Sequence, residues 1–243
     1  MTQDSTDECV DCGAELVEDD EHGTLCLGCS PDWLLPDGGT TDSQEQLHAE
    51  PKRRTDCGGY TLTVWPPGGK EKDGTPRHVG RWTFQNGLIR YQVEHVIHDD
   101  VLNACAGRTK LRHNSGTIHR NDLNDEIDAD THHDVETIDE HFPRRSFDTV
   151  VFDPPWSQKQ ADEHYDGMHA RQSGPAREKL ARLVRPGGTF VEMGFNMYAP
   201  EDINDLQGWT RDEVHIFRRG PGGRPPAYMV VDRYPQMTLG GGA

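Results

Sequence analysis

From about Cys57 onward the chain alternates short apolar runs with polar stretches, and the period of each run predicts its element. Tyr60–Trp65 (YTLTVW) alternates as a short strand and ends in a Pro/Gly loop. Residues 81–98 (RWTFQNGLIRYQVEHVIH) have mixed spacing that predicts a strand followed by a helix. DVLNACAG (100–107) reads as a buried strand ending in small residues, and GTIHRND (116–122) as a second strand ending in an acid. DADTHHD (128–134) is a weak third strand, and FDTVVFD (147–153) is an almost uninterrupted fourth. SGPAREKLARLV (173–184) is a helix, with Pro175 near its start and Leu180, Leu183 and Val184 as its apolar stripe. RPGGTFVEMGF (185–195) turns into a fifth strand. EVHIFRR and AYMVVDRY then flank a Gly/Pro-rich turn as a terminal antiparallel hairpin. Strands alternating with helices predict an α/β fold with a doubly wound, mostly parallel sheet, and ligands at the carboxyl ends of its strands.

The first thirty residues follow a different logic. Cys9-x-x-Cys12 and Cys26-x-x-Cys29 each place two thiols on one side of a tight turn, with Gly13 and Gly28 permitting the turn. A hairpin's worth of chain between the pairs brings four sulfurs to the tetrahedral geometry of structural zinc. Two disulfides or a duplicated redox pair are the competing readings, and neither suits a reducing compartment. The pattern resembles a zinc ribbon, a module used for scaffolding and protein docking as often as for nucleic acid. Residues 31–56 are polar and turn-rich without sustained periodicity and read as a flexible linker, leaving 57–243 as the main domain.

Composition changes the picture in two ways. The 243 residues carry a formal net charge of −17, from 42 acidic and 25 basic side chains, and only six of the basic ones are lysine. Acid spread between apolar runs, with lysine scarce, fits a folded, halophilic protein with an acidic shell rather than a disordered one. In molar salt the Debye length is about 3 Å, so this charge neither favours nor excludes a nucleic-acid partner. No segment reads as a membrane span, and the N-terminus lacks the layout of a signal peptide, so the expectation is a cytoplasmic protein.

The densest chemistry is Asp153-Pro154-Pro155-Trp156. Two prolines cannot donate ladder hydrogen bonds, so the strand stops there with a carboxylate at its carboxyl end. The rigid backbone holds the Pro154 carbonyl beside the Asp153 carboxylate. Two acceptors so placed suit an amino group with two N–H donors, and the Trp156 indole suits stacking on a flat heterocycle. The plain alternative is a Pro-Pro turn with a core tryptophan.

The DPPW run resembles the catalytic motif of class I S-adenosylmethionine-dependent methyltransferases that modify amino groups, above all adenine N6. VLNACAG resembles that family's first strand and cofactor loop, and FDTVVFDPPW with LVRPGGTFVEMG resembles its fourth and fifth strands, over roughly Val93 to Tyr234. The resemblance implies a Rossmann-like domain with S-adenosylmethionine as cofactor and RNA or DNA as substrate. It also implies that Asn103, Ala104, Cys105, Ala106 and Gly107 form the cofactor loop. Asp122 would bind the ribose hydroxyls and Asp134 would meet the adenine. Asp153 and Pro154 would hold the target amino group, with Pro155 shaping the turn and Trp156 stacking on the base. The chain departs from the pattern at Asn103, where an acid is common, and in having Gly107 as the loop's single glycine. Its motif order differs from the permuted adenine methyltransferases, and only Ser157–Ser173 is free to form a substrate loop. The implied alternatives are methylation of guanine N2, cytosine N4 or a protein amide, and an inactive methyltransferase fold serving as a binding subunit with its ribbon.

Other features read plainly. His95, His98, His132 and His133 are ordinary surface or core residues, Cys105 is a small packing residue, Cys57 has no visible partner, and the basic run 51–54 is solvated linker.

Overall fold

Phe147–Phe152 is buried along nearly its whole length, as a strand covered on both faces must be. The computed structural model describes residues 16–19, 23–26, 51–65, 82–113, 115–164, 167, 173–203, 206–218 and 225–236. In chain order the strands are β1 (Leu16–Asp19), β2 (Gly23–Cys26), β3 (Arg53–Asp56), β4 (Thr61–Trp65), β5 (Val101–Asn103), β6 (Ile118–Arg120), β7 (Phe147–Phe152), β8 (Val184–Gly194), β9 (Thr210–Phe217) and β10 (Ala227–Arg233). The helices are α1 (Gly87–Val96), α2 (Gln158–His164) and α3 (Ser173–Ala181). None of them is long and apolar enough to cross a membrane.

Strands β3 to β10 form one eight-stranded sheet in the order β3-β4-β9-β10-β8-β7-β5-β6. Strands β6, β5, β7 and β8 are mutually parallel, β10 lies antiparallel between β8 and β9, and β4 pairs parallel with β9. The expected mostly parallel sheet with a terminal antiparallel hairpin is therefore present. The chain passes from β5 to β6 on one side and returns to β7 on the other, so the order reverses between β5 and β7. A crevice opens at such a reversal, outside the carboxyl ends of the strands.

Alternation sorts the side chains into two cores. Val101, Val151, Val191 and Met193 face α1, which contributes Leu88, Ile89 and Val93. Leu102, Val150, Phe152 and Phe190 face α3, which contributes Ala176 and Leu180. The Asn86 side chain caps α1 by accepting the Ile89 amide at 3.1 Å. Arg177 of α3 makes a two-pronged ion pair with buried Glu192 of β8, which ties that helix to the sheet.

Four expectations are corrected. Residues 82–86 form no strand: Thr83–Gln85 make one 3-10 turn, Trp82 lies over Gly107, and Phe84 is buried in the core with Leu88 and Ile89 of α1. The third strand is reduced to one parallel bridge, Asn121 to Thr131, because the Asn121 side chain takes up the segment's backbone groups. Leu183 and Val184 lie beyond α3, and Val184 begins β8, although both are buried as expected. Arg53–Asp56, expected as linker, forms the edge strand β3, antiparallel to β4, and its exposed arginines keep that edge soluble.

Strands β1 and β2 pair as an antiparallel hairpin in a separate sheet between the two cysteine pairs, with Cys26 ending β2. Cys9, Cys12 and Cys29 lie outside the described residues.

Candidate active site

Asp153 leaves the carboxyl end of β7 beside the reversal of strand order. Its Oδ1 accepts hydrogen bonds from the Thr83 hydroxyl at 3.1 Å and from the Trp156 indole N–H at 3.0 Å. Its Oδ2 accepts none among the described residues. Burial disfavours the charge and pushes the Asp153 carboxyl up to about 7, against the pull of those two bonds. Pro154 and Pro155 fix the backbone that follows, and both line the same cavity as Asp153.

The opposite wall is the loop after β5. Ala104, Cys105, Ala106 and Gly107 line the cavity, and Asn121 holds them in place. Asn121 is fully buried and uses its whole amide. It donates to the carbonyls of Ala104 (3.0 Å) and His133 (2.9 Å), and accepts from the Thr131 hydroxyl and the His133 amide, both at 2.9 Å. One side chain thus fastens the loop after β5 to the segment carrying Asp134. Gly107 has φ +54°, and a Cβ there would lie 2.8 Å from the Trp82 ring, so glycine is required on both counts. The side of Gly107 that would bear a Cβ is occupied by this indole.

Asp122, one residue beyond the Asn121 bridge, accepts the Gly107 amide at 2.8 Å and the Asn124 amide at 3.0 Å, each on a different oxygen. Asp134 accepts the Glu136 amide at 2.8 Å. Both carboxylates line the cavity, whose lining includes Asp122, Asp134 and Asp153 and, among the described residues, no lysine or arginine. Burial, then the charges of Asp122, Asp153 and Asp134, push the Cys105 thiol well up, which leaves it an unreactive packing group.

Ala104–Gly107, Asp122, Asp134 and Asp153–Pro155 therefore meet around one cavity, from four separate segments of chain. Two expected residues stand apart. Asn103 is fully buried behind the cavity, and neither polar atom of its side chain has a partner among the described residues. Trp156 is not part of the lining; its ring meets Phe195 edge-on at 4.7 Å while its N–H holds Asp153. His133 stacks on His141 at 3.7 Å, and among the described residues no group of three His, Cys, Asp or Glu side chains is arranged to hold a metal.

Sequence reading missed Trp82, Thr83, Phe84 and Asn121. The first three look like strand residues, and their position before the Asn86 cap is the signal that a turn, not a strand, carries them. Asn121 sits between an expected strand and Asp122, with no local mark of its four hydrogen bonds.

No protein-family model matches the chain, and no curated protein matches it. Solved structures similar to it include TrmN from Thermus thermophilus, at 13% identity over 64% of this chain and 50% of that one, with a TM-score of 0.45. The match thus spans half the length of TrmN. The N-methyltransferase NodS from Bradyrhizobium japonicum WM9, bound to S-adenosyl-L-homocysteine, is similar at 12% identity over 63% and 88%, with a TM-score of 0.44. An rRNA methylase from Streptococcus thermophilus is similar at 13% over 62% and 96%, with a TM-score of 0.39.

Proposed function

We propose that the chain is an S-adenosylmethionine-dependent N-methyltransferase acting on an exocyclic amino group of a nucleobase, with adenine N6 in RNA or DNA as the first candidate. The observation that carries this reading is that a half-buried carboxylate, Asp153, whose Oδ2 accepts no hydrogen bond among the described residues, shares one cavity with a small-residue loop and two further carboxylates.

The donor set fits the cofactor. Three carboxylates and no basic side chain make a lining that attracts a cation, and the cofactor's sulfonium is one. Each oxygen of Asp122 holds one amide and retains a lone pair for a ribose hydroxyl. Asp134 is available to an adenine amino group. When bound, S-adenosylmethionine supplies an electrophilic methyl group.

The chain's own residues do the rest. Asp153 Oδ2 and the Pro154 carbonyl accept the two N–H groups of the target, which favours a more tetrahedral nitrogen with its lone pair exposed. Trp156 and Thr83 fix the carboxylate through Oδ1, so the acceptor does not reorganise during reaction. Orientation within this frame accounts for much of the rate. The nitrogen loses a proton after it gains the methyl, and Asp153, with a pKa near 7, is matched to receive it. In the same reading Cys9, Cys12, Cys26 and Cys29 hold one structural zinc, supported by the β1–β2 hairpin between the pairs, and the ribbon is a docking surface for a protein partner.

The test is transfer from methyl-deuterated cofactor to total RNA and to unmethylated DNA, offered separately in about 1 M potassium chloride, followed by mass spectrometry of the nucleosides. Label on N6-methyladenine supports the full reading. Label on guanine N2 or cytosine N4 moves the target, and no label with no cofactor binding overturns the enzyme assignment.

A further inference from the structure

A second concave site lies at the other edge of the sheet. It is an open cleft of about 510 Å³ whose lining includes Arg144, Arg145, Arg182, Leu206, Trp209 and Tyr234 and, among the described residues, no acidic one. Arg144 and Arg145 immediately precede β7 and Arg182 directly follows α3, so the cleft opens at the amino ends of the parallel strands. Half-buried Tyr234 packs on Trp209, their rings 5.1 Å apart, and Trp209 is itself buried against Phe190.

Three observations set this cleft apart from solvated surface. In a chain with 42 acidic and 25 basic residues, three arginines share one concavity. Arg144 and Arg145 are exposed, and their side chains have no hydrogen-bond or ion-pair acceptor among the described residues; Arg182 pairs with Glu178. Arg145 also has φ +60°, a left-handed backbone that costs a non-glycine residue about 1 kcal/mol. Its amide donates to the Arg182 carbonyl at 3.0 Å, which fixes the turn so that the arginines converge. An exposed arginine kept on left-handed backbone beside two others, with no acidic partner among the described residues, suits an anion.

Guanidinium forks match phosphate geometry in pairs. Six residues of β7 separate this edge from the cavity, about 20 Å at ~3.3 Å per residue, too far for one mononucleotide to touch both. We propose that the cleft binds backbone phosphates of the same polynucleotide whose base enters the cavity at the opposite edge. The identity of the polymer rests on the nucleobase reading above.

The experiment is fluorescence anisotropy of a labelled single-stranded RNA, and of DNA of the same sequence, with the full chain and no cofactor, between about 0.1 and 1 M potassium chloride. The variant is Arg144→Ala with Arg145→Gly; glycine accepts the left-handed backbone, so the turn is preserved. We expect Kd to weaken about tenfold and the slope of log affinity against log salt to shrink by about 1.4, two phosphates at ~0.7 each. Equal affinity and slope in variant and wild type, or no binding by the wild type, overturns the proposal. Displacement by adenosine monophosphate at the strand's own affinity, with the same arginine dependence, also overturns it in favour of a mononucleotide site. Binding is read without cofactor, so loss of methyl transfer with binding intact sinks the enzyme reading alone. Transfer with no arginine dependence of binding sinks the cleft alone.

Discussion

The two edges of the sheet differ in sign. Among the described residues, the cavity at the carboxyl ends of β5, β6 and β7 collects Asp122, Asp134 and Asp153 and no basic group, and the cleft at the amino ends collects Arg144, Arg145 and Arg182 and no acid. The same strands position both, since Asp153 follows the last residue of β7 and Arg145 lies just before its first. Net charge averaged over the chain hides this division. A strongly acidic chain can present one surface to a cation and another to a polyanion, provided the fold segregates them.

The carboxylate edge gives the largest expected effect. Asp153→Ala should lower transfer by about 10²–10³-fold, while cofactor affinity measured by titration calorimetry stays within about twofold. Transfer at wild-type rate in that variant would end the assigned role.

Asn121→Ala comes next. It strips partners from two carbonyls, an amide and a hydroxyl at once, so unfolding by denaturant should reveal a loss of about 2–4 kcal/mol. A loss below about 0.5 kcal/mol would mean that the loop after β5 and the Asp134 segment do not depend on this residue.

Gly107→Ala should cost about 1–3 kcal/mol, from its left-handed backbone and the Trp82 ring, and should weaken cofactor binding in parallel. A companion Trp82→Ala substitution relieves the clash and leaves only the backbone cost. Recovery of part of the stability in the double variant would identify the ring as the obstacle.

Thr83→Val is the finest probe. The Thr83 hydroxyl pulls the Asp153 carboxyl down from where burial alone would put it, so its loss moves the acidic limb of the rate profile to higher pH by about one unit or less. In the wild type that limb should fall as pH drops through about 7, because the accepting form is the carboxylate. Stability runs the other way. The folded-state pKa is raised, so the contribution of the protonated form is fully present below the ordinary 3.8 and is lost as pH rises through about 7. A pH–rate profile that Thr83→Val leaves unmoved would remove Asp153 as the titrating group.

Much of this was legible in the sequence where the signal is local. Val101–Asn103, Phe147–Phe152 and the terminal hairpin are apolar runs bounded by turn residues, and buried parallel strands have few other ways to be written. Asp122, Asp134 and Asp153 could be marked because each ends an expected strand and the family resemblance assigns each a role there. The reading failed where a residue's role is set by something far along the chain. Trp82 looks like a strand residue, yet its ring lies over Gly107, more than twenty positions away. The Trp156 N–H holds Asp153, a contact that no local pattern marks.

By itself, then, the sequence determined which residues end strands, that the sheet is mostly parallel, and that three carboxylates share its carboxyl edge, because period and turn chemistry are written in neighbouring residues. Tertiary structure alone decided that Thr83 and Trp156 hold Asp153, that Asn121 fastens two loops, and that three arginines from two segments converge at the far edge. Those contacts join residues up to 70 positions apart. Hydrogen bonds and charges act through a few ångströms of space, and only the folded chain brings such residues within that range.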